Sequence, residues 1–146
     1  LLHDLGKVIL DTYFNELYQE VVEEMVEEER SALDAETDIL DIDHAEVGGW
    51  LAARWKFPEV LVSPIAYHHN PIAAEEQYLK ECLIVHLADT LIKRAKIGLC
   101  YETEISEPHD MVHSHLKLSS QDISGLEEAI HSERDQINEF FGQLSG

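Results

Sequence analysis

Cysteine, basic residues and long apolar runs are all scarce in this chain of 146 residues. Each scarcity excludes something. Cys82 and Cys100 cannot build a disulfide-rich secreted scaffold, and they read as reduced, partly buried thiols. No apolar stretch approaches the roughly 20 residues that a membrane-spanning helix needs. Leu1 to Leu10 carries His, Asp and Lys without a cleavage-site pattern, so no signal peptide is read and a cytoplasmic location is expected. Ten Lys and Arg stand against 30 Asp and Glu, a net charge of -20. That balance argues against nucleic acid, whose binding needs phosphate neutralisation, and against anionic membranes. It also slows the approach of a phosphorylated substrate unless a metal offsets it locally. There is no Gly-rich phosphate loop, no nucleophile elbow, no internal repeat and no convincing strand alternation.

What is present is helical periodicity. Apolar residues make up 45% of the chain, enough for one domain with a core. A short first segment ends in the apolar stretch Val8 to Leu10. Leu1 and Leu2 lead into it with no cap, as in a fragment of a longer protein. Residues 15–31 read as an amphipathic helix with Leu17, Val21, Met25 and Val26 inward and a run of glutamates outward. Ala35 to Leu40 reads as a short helical turn or loop. Asp43 and Glu46 form a capping box for a helix to about Lys56, with His44, Val47, Gly48, Leu51 and Trp55 on one face. Gly48-Gly49 there implies close packing against a neighbour. Pro58 opens the next helix, which contains Pro64 and ends near His68-His69. Residues 75–97 read as one long helix with Leu83, Ile84, Leu87, Ala88, Leu91 and Ile92 buried, stopped by Gly98. Residues 99–118 read as irregular. A last helix begins near Ser120, with Ile123, Leu126, Ile130, Ile137, Phe140 and Phe141 facing the core.

Against this helical background a set of polar residues stands out. His3-Asp4 is followed by Lys7, a lone helical His44, the pair His68-His69, and Asp89 inside an apolar helix. A carboxylate at Asp89 needs a partner, and a metal is the favoured one over a structural ion pair. Imidazoles with carboxylates suit divalent first-row ions, and Mn, Fe, Mg and Zn all fit the donor set. Adjacent His68 and His69 would diverge by about 100° on a helix, one toward a metal and the other toward a second metal or a phosphate. Lys7, one turn from His3, could hold Asp4 or touch a phosphate oxygen. His86 reads as packing or as support for the site. His109, His113, His115 and His131 read as surface residues.

These residues together resemble the HD superfamily of helical metal-dependent phosphohydrolases, and within it the HDOD domains. The resemblance rests on His3-Asp4-Leu5-Gly6-Lys7, Asp43-His44-Ala45-Glu46-Val47-Gly48, Trp55-Lys56-Phe57-Pro58, Ile65-Ala66-Tyr67-His68-His69-Asn70-Pro71 and Val85-His86-Leu87-Ala88-Asp89. It implies an all-α, compact multi-helix bundle without its N-terminal helices, forming one domain over residues 1–146. The motifs fill about residues 1–98, and a C-terminal loop and helix fill about 99–146. It also implies a divalent metal held by His3, Asp4 and Asp89, with His44, His68 and His69 serving a second metal or a phosphate.

Two departures from the family pattern bear on activity. The superfamily's upstream metal-ligating His lies on an earlier helix, and only Leu1 and Leu2 precede His3 in this chain. The cyclic-dinucleotide phosphodiesterase branch continues from its His-His pair into Glu and a Gly-Tyr-Pro motif, whereas Asn70-Pro71-Ile72 follows in this chain. The leading expectation is therefore a bacterial signal-transduction or regulatory domain, working with protein partners or fused signalling domains and binding a metal or a nucleotide. The alternatives are a metal-dependent phosphohydrolase acting on nucleotides, with Asp4 and Lys7 in catalysis, and a metal-free helical scaffold.

Overall fold

The computed structural model describes residues 2–98, 105 and 107–144, with side chains as far as Arg134. Helix α1 spans Leu5–Tyr13. It starts later than the sequence suggests because Asp4 occupies its N-cap position, and it runs past Leu10 to Tyr13. The Asp4 side chain makes no capping hydrogen bond. Its carboxylate is drawn to Lys7 and His44 instead. Helix α2 (Asn15–Glu27) ends before the expected Ser31, since Glu29 adopts a left-handed φ of 52°. Its buried residues are Tyr18 and Val21, with Met25 partly covered, while Leu17 and Val26 face outward.

The short helical turn or loop expected at Ala35 to Leu40 is a full helix, α3 (Ala32–Leu40). Ser31 caps it, its Oγ accepting the Asp34 N–H at 3.0 Å, and Ala35 and Glu36 point inward. An acid at an inward position is what hides the full length of this helix from an apolar-periodicity reading. Helix α4 (His44–Arg54) carries the expected capping box: Asp43 accepts N–H bonds from Ala45 and Glu46 at 2.7 and 2.9 Å. It stops two residues short of Lys56, which takes a left-handed φ of 59°, and Trp55 is exposed. Helix α5 (Glu59–Tyr67) follows Pro58 and holds Pro64 buried within it.

The long helix expected over residues 75–97 is divided. A 3₁₀ turn at Glu76–Tyr78 precedes helix α6 (Leu79–Arg94). Part of the segment expected to be irregular is helix α7 (Met111–Leu116), which carries the exposed His113 and His115. Helix α8 spans Ser120–Leu144. Cys100, and the side chains of Ile137, Phe140 and Phe141, lie outside the described residues. Cys82 is fully buried, and burial pushes its thiol up to about 11. Among the described residues no helix is long and apolar enough to cross a membrane.

Helix α6 is the shared wall of the bundle. Leu79, Leu83, Leu87 and Leu91 recur every four residues and bury against Val112 of α7 and Ile123 of α8. The buried stripe is narrower than expected, because Ile84, Ala88 and Ile92 face outward. A second core joins α1, α2 and α3 through Leu10, Tyr18, Val21 and Ala35. A third joins α4 and α5 through Ala52, Val62 and Ile65.

Helices α1, α4 and α5 meet where side chains are missing. A Cβ on Gly6 would lie 1.9 Å from the His44 carbonyl oxygen, and one on Gly49 would lie 2.6 Å from the Ala66 Cβ. The close packing expected around Gly48-Gly49 is present, and it brings the His3-Asp4 segment against the first turn of α4. Gly6→Ala should therefore push α1 off α4 and cost about 1–3 kcal/mol, read as a lowered urea midpoint with unchanged slope. A midpoint equal to that of the parent would show that the crossing tolerates a methyl group.

Candidate metal centre

Four chain segments deliver six polar side chains to one place. His3 and Asp4 come from the turn before α1. His44 opens α4, His68 and His69 follow α5, and Asp89 projects from α6. The Asp4 Oδ1 lies 3.2 Å from His44 Nε2 and 3.9 Å from His68 Nε2. His3 Nε2 lies 3.6 Å from Asp4 Oδ2 and 3.5 Å from Asp89 Oδ1. The Nε2 atoms of His44 and His69 are 2.8 Å apart. His68 and His69 do not diverge as they would on a helix, because α5 ends at Tyr67. Their ring centroids lie 4.0 Å apart. All six residues expected from the sequence thus converge.

Two lysines hold the carboxylates. Lys7 donates to Asp4 Oδ2 at 3.0 Å, one of the roles expected of it. Lys93 pairs with Asp89 Oδ2, also at 3.0 Å. Asp89 is therefore partnered by an ion pair and by His3.

The tautomers follow from the partners. His68 Nδ1–H donates to the Ile65 carbonyl at 2.9 Å, which leaves the lone pair on Nε2. That Nε2 is buried and has no hydrogen-bond partner. An unpartnered acceptor of this kind, surrounded by imidazole and carboxylate donors, fits a cation. His44 is 1% exposed, and its Nδ1–H donates to Glu36 Oε2 at 2.5 Å, turning Nε2 toward the cluster. Donor atoms of His44, His68 and His69 form one group compact enough for an ion, and those of His3, Asp4 and His68 form another.

Glu36 is the residue that sequence reasoning misses. It is 0% exposed and accepts three hydrogen bonds: from His44 Nδ1, from the His44 backbone N–H at 2.8 Å and from the Tyr18 hydroxyl at 3.2 Å. Carboxylate–imidazole pairs of this kind orient metal-binding histidines. Nothing in the spacing marks Glu36; the usable signal is that a buried His44 requires an acceptor for its second nitrogen.

Burial and charge set the titration of the cluster. Burial opposes the Asp4 charge, but the His44 hydrogen bond, Lys7 and His3 outweigh it and hold the carboxyl far below its usual range. Burial opposes the Asp89 charge as well, and His3 and Lys93 outweigh it. Burial lowers His68 to about 4 and, together with neighbouring positive charge, His69 to about 2. For His44, burial is overcome by hydrogen bonds to Asp4 and Glu36, and the ring is shifted upward from 6.5. A cleft of about 480 Å³ opens over His44, His69 and Asp89. Its rim includes Glu29, Asp34 and Glu107 along with Arg30 and Lys93.

Comparison with known proteins agrees with this architecture. A family model for the HDOD domain matches residues 1–71. The chain is 33% identical over 93 residues to an uncharacterised protein of Treponema pallidum, a match covering 64% of this chain and 18% of that protein. It is similar to the crystal structure of an HDOD domain protein of unknown function from Geobacter sulfurreducens. That likeness has a TM-score of 0.74 at 25% identity and covers 93% of this chain and 49% of the other. The chain thus spans less than a fifth of one relative and about half of the other.

Two outcomes follow from the geometry. Glu36→Ala strands the His44 Nδ1–H and the Tyr18 hydroxyl in a dry interior, and should cost about 3–5 kcal/mol in urea unfolding. A loss below about 1 kcal/mol would mean that water replaces the carboxylate. The second outcome concerns the metal-free protein. Below pH 6.5 the unfolded chain binds protons that native His68 and His69 refuse, so stability falls with falling pH, and the carboxylates extend the fall at lower pH. Above pH 6.5 native His44 still holds a proton that the unfolded chain has lost, so stability falls with rising pH until His44 titrates. Urea midpoints should peak near pH 6.5, and midpoints still climbing steadily at pH 8 would contradict the assignment.

Proposed function

From a chain whose residues 1–71 belong to the HDOD domain family, we propose a regulatory domain whose conformation is set by a divalent ion held among His3, Asp4, His44, His68, His69 and Asp89. The buried, unpartnered Nε2 of His68, facing imidazole and carboxylate donors from two other segments, carries this reading. The chain's own residues prepare the place. Glu36 orients His44, the Ile65 carbonyl orients His68, and Lys7 and Lys93 steady the two aspartates. When bound, an ion would supply fixed positive charge and tie the four segments together. The cleft's acidic rim, with Arg30 already bound to Glu24 and Asp38, favours regulation over turnover of an anionic substrate. Asn70-Pro71 in place of the hydrolytic branch's signature points the same way. The longer relatives suit a module that works beside protein partners or fused signalling domains.

The cleft itself favours a second reading. A volume of about 480 Å³ beside His44, His69, Asp89 and Lys93 is roomy enough for a small phosphoester. In a phosphohydrolase, Lys7 would keep Asp4 charged, and Lys93 would be the cation nearest an incoming phosphate. Nucleotides are the substrate class that this reading takes from the family.

Elemental analysis of the full-length protein, purified without chelator or metal-affinity tag, tests both. About one or two divalent ions per chain, lost in Asp4→Ala, is the expected result. Metal-free protein whose Asp4→Ala variant is equally stable would leave a scaffold held by hydrogen bonds. Metal-dependent phosphoester hydrolysis that Asp4→Ala abolishes would replace the regulatory reading with the hydrolytic one.

A further inference from the structure

One histidine outside the cluster touches both halves of the molecule. His86 lies on α6 three residues before Asp89. Its Nδ1–H donates to the His68 carbonyl at 2.7 Å. Its Nε2 accepts the backbone N–H of His109 at 3.1 Å. His109 in turn uses its own Nδ1 to accept the Met111 N–H at 3.2 Å, and Met111 is the first residue of α7. The Thr90 hydroxyl donates to the His86 carbonyl at 2.9 Å, a bond within α6.

Both ring nitrogens of His86 are thus committed to backbone groups of other segments. The His68 carbonyl belongs to the peptide that joins His68 to His69. It also lies just past the end of α5, where carbonyls lose their intrahelical partners. Gripping that oxygen fixes the peptide from which both metal-site rings project. On the other side, the gripped N–H belongs to the segment entering α7, and Ile105 and Glu107 just before it line the cleft over the site. The adjoining face of α6 presents Leu79, Leu83, Leu87 and Leu91 to α7 and α8. One helix therefore carries the site's wall, the C-terminal core and the ring that bridges them.

We propose that His86 is a positioning residue that couples the His68-His69 peptide to the α7–α8 unit, so that an ion at the cluster is felt at the start of α7. This coupling rests on the metal-bound reading of the cluster and adds the route by which occupancy reaches the C-terminal helices. A ring with both nitrogens satisfied resists rotation, so movement of His68 toward an ion draws on the His109 N–H.

The test uses the full-length protein, Mn²⁺ as the probe, and hydrogen exchange of peptides spanning residues 107–116. In the parent, Mn²⁺ should slow exchange at the start of α7. His86→Leu keeps bulk but removes both hydrogen bonds. It should weaken Mn²⁺ binding about tenfold or more and make α7 exchange independent of the ion. His86→Gln supplies one amide donor and one carbonyl acceptor, and should restore much of both effects. Exchange in α2, none of whose residues lines the cleft beside His86, reports whether each variant is folded. Parent protein that binds Mn²⁺ with no change in α7 overturns the coupling and leaves the metal reading standing, and this result decides the matter even if His86→Leu fails to fold. A folded His86→Leu that binds Mn²⁺ as the parent does, with α7 still responding, overturns the role of His86. Failure of the parent to bind any divalent ion overturns the metal reading, and the coupling with it.

Discussion

The buried carboxylate of Glu36 is the constraint on which the arrangement depends. An ionised group at zero exposure is costly unless donors surround it, and Glu36 gathers three from two neighbouring helices. The Tyr18 hydroxyl ties it to α2, and the backbone and ring of His44 tie it to α4. One side chain thus fixes the α2–α3 hairpin against the first turn of α4. It also settles which nitrogen of His44 faces the cluster. Burial and the Glu36 charge hold the Tyr18 hydroxyl well above its usual range, so the donor stays protonated across ordinary pH.

Close backbone approach does the rest of the positioning. With no side chain at Gly6, the His44 carbonyl can sit where a methyl group would otherwise be. The His-Asp doublet and His44 are therefore set against each other by main-chain contact, which is stiffer than contact between long side chains. The lysines add charge balance where desolvation alone would favour neutral carboxyls. The result is a donor set held in place by protein contacts, with a lysine paired to each of its carboxylates.

Legibility from sequence divides along physical lines. The helical class, the capping box at Asp43 and the convergence of His3, Asp4, His44, His68, His69 and Asp89 are readable, because periodicity and motif order encode them directly. Helix α3 is legible only as a short helical turn or loop, because its inward residue is an acid and its apolar stripe is short. Glu36 is invisible for the same reason: its partners lie 18 residues before it and eight after it, and no spacing rule joins them. The pairing of His68 with His69 escapes a reading that extends helix geometry past Tyr67, where α5 ends. The outward turn of Ile84 and Ile92 depends on where α7 and α8 dock, which is tertiary information.

The uncapped start of α1 has a consequence for how such a domain changes over generations. Asp4 stands at the N-cap yet gives its carboxylate to the cluster, so the helix forgoes a bond commonly worth about 1 kcal/mol. Loss of His44 or Lys7 would free that carboxylate to turn back onto the helix. A lineage that abandons the site would recover stability at α1 as it does so. Retention of the doublet in a drifting sequence would then record selection for the site, since helix stability alone favours letting it go.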